Sequence, residues 1–153
     1  MDYVYKIADK SDIEALVLLR QEVLTSANCL DANTEMPEVK FNTNIYYLKA
    51  FEEDSHYAII VYDGDIIIAT GAICFYQVMP TYNNPKGTKA YVMNMYTKEA
   101  YRRKGVAQRI LKELVHEAKR RNVSEITLEA TEMGKPLYLK NGFELMKSEM
   151  EYI

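Results

Sequence analysis

Tyr101-Arg102-Arg103-Lys104-Gly105-Val106-Ala107 places three cations at the start of what reads as a strongly amphipathic helix. A helix N-terminus already carries partial positive charge, so each Lys or Arg there is disfavoured by roughly a few tenths of a kcal/mol. An anion removes the conflict. Free backbone N–H groups, a glycine that permits close approach and flanking cations together suit a phosphate or pyrophosphate.

Working outward, Val106, Ala107, Ile110, Leu111, Leu114, Val115 and Ala118 form one apolar stripe with charges opposite. That helix closes at Lys119-Arg120-Arg121-Asn122, where cations complement the C-terminal dipole and read as a solvated face. Upstream, Lys89 to Thr97 is an extended run. Before it, His56 to Tyr62 and Ile66 to Met79, rich in β-branched and aromatic residues around Asp63-Gly64, predict a hairpin. Three adjacent antiparallel strands therefore precede the cations. A bulge near Asn94 is expected.

Further upstream, Tyr3 to Ala8 alternates as a short strand. Asp9-Lys10-Ser11-Asp12 then supplies capping residues for a helix of about four turns bearing Ile13, Leu16, Val17, Leu19, Val23 and Leu24. A polar stretch with Pro37 follows, and a second helix is expected over Asn42 to Glu53. Downstream, Glu125 to Ala130 reads as a strand, Pro136 to Lys140 as a short helix stopped by Asn141-Gly142, and Phe143 to Ile153 as a terminal hairpin.

The chain has 153 residues, 48% apolar and 27% charged, with no linker or repeat, and residues 1–153 read as one domain. A net charge of −3 provides no global attraction to nucleic acid or an anionic membrane, so the cations at 102–104 must act locally. Cys29 and Cys74 lack CxxC spacing and clustered histidines, which excludes a zinc motif; both read as free, buried thiols, and no metal is expected. The N-terminus has no secretory pattern, so a cytoplasmic location is expected. The longest apolar run, Ile66 to Met79, is interrupted and too short to span a bilayer.

With the element order and two motifs in view, the chain resembles the GCN5-related N-acetyltransferase (GNAT) superfamily. The family's cofactor motif, Gln/Arg-x-x-Gly-x-Gly/Ala, stands here as Arg102-Arg103-Lys104-Gly105-Val106-Ala107, after a strand and opening a helix. Its Leu-Tyr-x-x-x-Gly-Phe segment stands as Leu137-Tyr138-Leu139-Lys140-Asn141-Gly142-Phe143. The resemblance implies an α/β fold of the α+β type: a mixed, mostly antiparallel sheet of about six to seven strands, splayed between the fourth and fifth, with about four helices.

It also implies acetyl-CoA as cosubstrate. Arg102, Arg103, Lys104, Gly105, Val106, Ala107 and Gln108 would hold its pyrophosphate, largely through backbone N–H groups. Met95, Tyr96 and Thr97 match positions that bond the pantetheine arm as a pseudo-strand, and Asn141 is assigned to the same cofactor site. Thr131 stands where many relatives carry Asn; it reads equally as a cofactor contact or a helix cap. Tyr138 matches the family's general acid, since a phenol of pKa near ~10 stays protonated at neutral pH and can protonate the departing thiolate.

The base that takes the proton of the amine stays open between Glu129, Glu22, His56 and a chain of waters. The acceptor is expected to be a small-molecule or peptide amine, held by the first two helices and the loops around Asn28 to Phe41 and Pro80 to Thr88. Asp31, Glu35 and Glu38 make the first loop acidic, which suits a cationic amine. Phe41, Tyr46, Tyr47, Tyr76 and Tyr82 could line that pocket or a dimer surface. The resemblance is also compatible with a homodimer, and with a non-catalytic acyl-CoA sensor as the alternative to an enzyme.

Overall fold

His56–Asp63 is apolar on both faces: Ala58 and Ile60 turn one way, Ile59 and Val61 the other, and all four are buried, as a central strand requires. The computed structural model describes residues 2–153. In it this strand, β2 (His56–Asp63), lies in one sheet with β1 (Val4–Ile7), β3 (Ile66–Gln77), β4 (Thr88–Thr97) and β5 (Glu125–Leu128), in the order β1-β2-β3-β4-β5. The first three pairings are antiparallel, and β4 pairs with β5 in parallel.

Helices α1 (Ile13–Ala27) and α2 (Pro37–Glu52) cover one face, where Leu16, Val17 and Tyr47 pack on Ala58, Ile60 and Ala72. The other face carries α3 (Val106–Arg120), whose Ile110, Leu111, Leu114 and Ala118 are fully buried against Ile59, Ile73, Ala90 and Val92. A short α4 (Lys135–Lys140) follows β5. Helix α2 starts five residues before the sequence reading places it. Pro37 occupies the first turn, where its missing N–H costs nothing, so the residue that looked like a breaker is an initiator.

Two features of β4 open one end of the sheet. Its register with β5 runs from Lys89↔Glu125 to Val92↔Leu128, after which β4 continues to Thr97 without a partner on that side. The sheet thus splays between its fourth and fifth strands. On the β3 side the register jumps from Ala72↔Met93 to Thr70↔Tyr96, so Asn94 and Met95 together oppose Gly71. This is the expected bulge at Asn94, whose φ of +58° is the left-handed region. Gly71 is needed opposite it: a Cβ there would lie 2.5 Å from both Ile110 Cγ2 and Met95 Sδ.

Three expectations are corrected. The terminal hairpin over Phe143 to Ile153 does not form, leaving five strands among the described residues rather than six or seven. Residues 144–153 contain no Gly, Pro, Asn or Asp to make a tight turn, and Met150, Tyr152 and Ile153 stand in solvent. Cys29 is exposed in the turn after α1, with φ +53°, and Cys74 is only partly buried, though both thiols are free. The cations at the end of α3 are more than a solvated face. Arg120 and Arg121 both bond the buried carboxylate of Glu117, and the Arg121 guanidinium stacks 4.2 Å from the Phe75 ring centroid.

Candidate active site

Parallel strands joined by a helix bring their carboxyl ends and the helix N-terminus to one end of the unit, where α/β proteins bind ligands. Here β4, α3 and β5 form that unit, and the splay opens at the same end. The connecting loop is pinned. Arg102 Nε donates to the Thr97 carbonyl at 2.8 Å, and the Tyr101 hydroxyl donates to Asp63 Oδ2 at 2.9 Å.

The cations precede α3 rather than occupying its first turn, since the helix begins at Val106 with Gly105 as its N-cap. This lowers the dipole conflict inferred from the sequence without abolishing it. Arg103 and Gly105 are both left-handed, at φ +62° and +82°, on either side of Lys104. Alternating hand of this kind turns successive N–H groups toward one concavity. Among the described residues no side chain caps α3, and its first helical bond runs from Arg109 N–H to the Gly105 carbonyl at 3.1 Å. The N–H groups of Val106, Ala107 and Gln108 therefore have no carbonyl one turn behind them. A Cβ at Gly105 would meet nothing within 4 Å, so this end of the helix is open.

Met95, Tyr96 and Thr97 occupy the stretch of β4 that faces the splay, bonded to a strand only on the β3 side. Tyr138, on α4, is 9% exposed, with Phe143 edge-on at 6.0 Å between ring centroids. Burial pushes its phenol above the usual tyrosine value, so it stays protonated at neutral pH. The two motifs meet where Asn141 Nδ2, donating to the Leu137 carbonyl at 2.7 Å, also comes within 3.5 Å of Gln108 Oε1. Gly105 and Gln108 line a cleft of 430 Å³ along α3, whereas Tyr138, Glu129 and Asn141 line a groove of 790 Å³ between β5, α4 and the C-terminal tail. The Thr131 side-chain oxygen accepts from the Gly134 N–H at 3.1 Å, which makes it the cap of the turn leading into α4.

Of the base candidates, Glu129 lines the same groove as Tyr138, while Glu22 faces Lys98 Nζ at 3.9 Å. His56 is on the opposite face of the sheet and 3% exposed, its Nδ1 2.9 Å from the Tyr46 hydroxyl and its Nε2 without a partner among the described residues. Tyr46, Tyr47 and Phe51 surround the imidazole edge-on, and burial lowers its pKa to about 4, so it is neutral at physiological pH. Phe41, Tyr76 and Tyr82 remain exposed; Tyr46 and Tyr47 line a pocket with His56.

Sequence reasoning missed Arg20. It enters that same pocket, and its Nη1 donates to Asn94 Oδ1 at 2.9 Å, fixing the bulge residue. A signal was available: Arg20 is four residues after Leu16 and three before Val23, squarely on the buried stripe of α1.

The acetyltransferase (GNAT) family model matches residues 22–143. The chain is similar to a predicted acetyltransferase from Clostridium acetobutylicum solved with acetyl-CoA: 34% identity, covering 99% of this chain and 96% of that one, at a TM-score of 0.90. A GCN5-related N-acetyltransferase from Ralstonia eutropha shares the fold at 18% identity, a TM-score of 0.82 and 99% coverage of both chains. So does a glucosamine-6-phosphate N-acetyltransferase from Arabidopsis thaliana, at 12% identity and a TM-score of 0.69, covering 100% of this chain and 99% of that one. No curated protein sequence matches the chain significantly.

Proposed function

Because the chain belongs to the GNAT acetyltransferase family, we propose that it moves an acetyl group from acetyl-CoA to a primary amine by direct attack in a ternary complex. The observation that carries this reading is the uncapped, open N-terminus of α3 at the splayed end of β4 and β5, with Asn141, just after α4, within 3.5 Å of Gln108 in the first turn of α3. The residues there fit the cosubstrate's chemistry: N–H groups and cations for a pyrophosphate, and an unpaired strand edge for an amide-bearing arm.

In this mechanism Arg103, Lys104 and the N–H groups of 103–108 bind the pyrophosphate, with Gly105 keeping the approach open. Arg102 takes part mainly as a brace, because its Nε is committed to the Thr97 carbonyl. Met95, Tyr96 and Thr97 hold the arm through backbone groups, which carries the thioester toward the bulge at Asn94. A backbone N–H at the bulge polarises the thioester carbonyl, and the nitrogen lone pair attacks its carbon. As the C–S bond breaks, Tyr138 gives its proton to the sulfur. The amine, with a pKa near ~10, must first lose a proton, which a chain of waters carries away.

The test is thiol release from acetyl-CoA against a panel of amines, with Tyr138→Phe alongside. Expected are amine-dependent turnover and a fall of roughly 10²-fold or more in kcat for the variant, with acetyl-CoA affinity retained. Acetyl-CoA binding without turnover on any amine would instead support a sensor, and unchanged turnover in Tyr138→Phe would reject its role.

A further inference from the structure

We infer that the acceptor carries a carboxylate next to its amine, in the manner of an α-amino acid, and that Arg20 binds that carboxylate; this rests on the acetyltransferase reading. The pocket concerned has a volume of 450 Å³ and lies between α1, α2 and β4, on the face opposite α3. Its walls include Arg20, Glu38, Val39, Tyr46, Met93 and Asn94. That volume is in the range usual for small-molecule sites, and most of the lining is apolar.

Arg20 is the anomaly in this pocket. It stands on the buried stripe of α1, yet no carboxylate forms an ion pair with it among the described residues. Arg121, by contrast, bonds both Glu117 and Asp54. Arg20 spends one N–H on Asn94 Oδ1, and no other side-chain hydrogen bond of its guanidinium is found among the described residues. A partly buried guanidinium with most of its fork unused is costly unless an anion completes it, and its planar geometry selects a carboxylate or phosphate. The acidic loop expected to attract a cation contributes only Glu38 to this pocket; Asp31 and Glu35 do not line it.

Position decides which anion-bearing amine fits. Arg20 is one hydrogen bond from Asn94, the bulge residue at which β4 opens toward the thioester. A carboxylate held there lies beside the point of transfer, so the attacking nitrogen must sit close to it in the same molecule. A long diamine or a lysine side chain has no such group. The acceptor's own side chain then extends over Val39, Tyr46 and Met93. In the transfer the ammonium first gives one proton to water; an N–C bond then forms, the thioester C–S bond breaks, the sulfur takes a proton from Tyr138, and the second proton lost by the nitrogen returns through water to Tyr138. The products are an N-acetyl amino acid and coenzyme A.

The experiment compares the proteinogenic α-amino acids with their carboxamides on the wild type, Arg20→Gln and Arg20→Lys. Thiol release gives kcat/KM, and saturation-transfer NMR in the presence of coenzyme A gives acceptor binding independently. The amide's amine deprotonates more readily, so a preference for the acid cannot come from nucleophilicity. Expected is a preference for at least one acid over its amide of about tenfold or more in the wild type, the scale of one charge-assisted hydrogen bond. That preference should fall to near unity in Arg20→Gln and survive partly in Arg20→Lys. Turnover with no carboxylate preference, or a preference unchanged in Arg20→Gln, would overturn the inference while leaving acetyl transfer intact. Acid-selective binding without thiol release would refute transfer and leave the carboxylate pocket standing. If Arg20→Gln does not fold, the wild-type comparison of acid with amide decides alone, and binding of neither overturns the inference.

Discussion

Replacing Glu117 with Gln should remove a pH-dependent part of the protein's stability. The Glu117 carboxylate is 6% exposed and accepts from Arg120 Nε and Nη2 at 2.8 and 2.6 Å and from Arg121 Nε at 2.8 Å. Arg121 continues to the Asp54 carbonyl at 2.6 Å, so the cluster ties the end of α3 to the turn before β2. The bonds from Arg120, and then those from Arg121, outweigh burial and lower the carboxyl pKa from 4.5 to about 2. A group whose folded-state pKa is depressed stabilises fully above its unfolded value, and that stabilisation drains away as pH falls from 4.5 toward about 2. The whole shift corresponds to about 3 kcal/mol. Because the Arg120 side chain is 63% exposed, solvent screens its share, and about 1–2 kcal/mol is the expected effect. Urea unfolding of the wild type and Glu117→Gln should therefore differ by that amount at neutral pH, with the gap shrinking below pH 4.5 and closing at about pH 2. Equal stability at neutral pH, or a gap that persists unchanged in acid, would refute the reasoning.

His56 predicts a second, separate window. Its pKa falls from 6.5 to about 4, so the unfolded chain takes up the proton first, and stability present above pH 6.5 declines toward pH 4. Substituting Phe should flatten the wild-type unfolding profile between those values. Gly71→Ala would press a methyl against Ile110, which is fully buried on α3, and should lower stability by about 1–3 kcal/mol by calorimetry. Arg103→Glu and Lys104→Glu, both exposed, should leave the melting temperature nearly unchanged and weaken acetyl-CoA binding severalfold by titration calorimetry, more so at low salt.

Much of the candidate site was readable in one dimension because its parts are local. The run from Arg102 to Ala107 combines a turn, a glycine and a helix start within a few residues, and Leu137 to Phe143 does the same for a short helix and its stop. Gly105 at φ +82° and Gly142 at φ +95° are where a reading of backbone freedom puts them. Even the bulge at Asn94 was expected, although its partner Gly71 emerged only once β3 and β4 were in register. The terminal hairpin failed for a local reason that the sequence also contained, the lack of any Gly, Pro, Asn or Asp after Gly142.

Tertiary structure alone decided the encounters between distant residues. Arg20 and Asn94 are 74 positions apart, Gln108 and Asn141 are 33, and Arg121 and Asp54 are 67. Periodicity assigns a residue to a face but not to a neighbour, because the neighbour depends on strand order and register. A charge on an apolar stripe, as at Arg20 or Glu117, marks that some partner is required without naming it. The candidate cosubstrate site was therefore written in contiguous sequence, whereas the proposed acceptor pocket is assembled from α1, α2 and β4 and exists only in the fold.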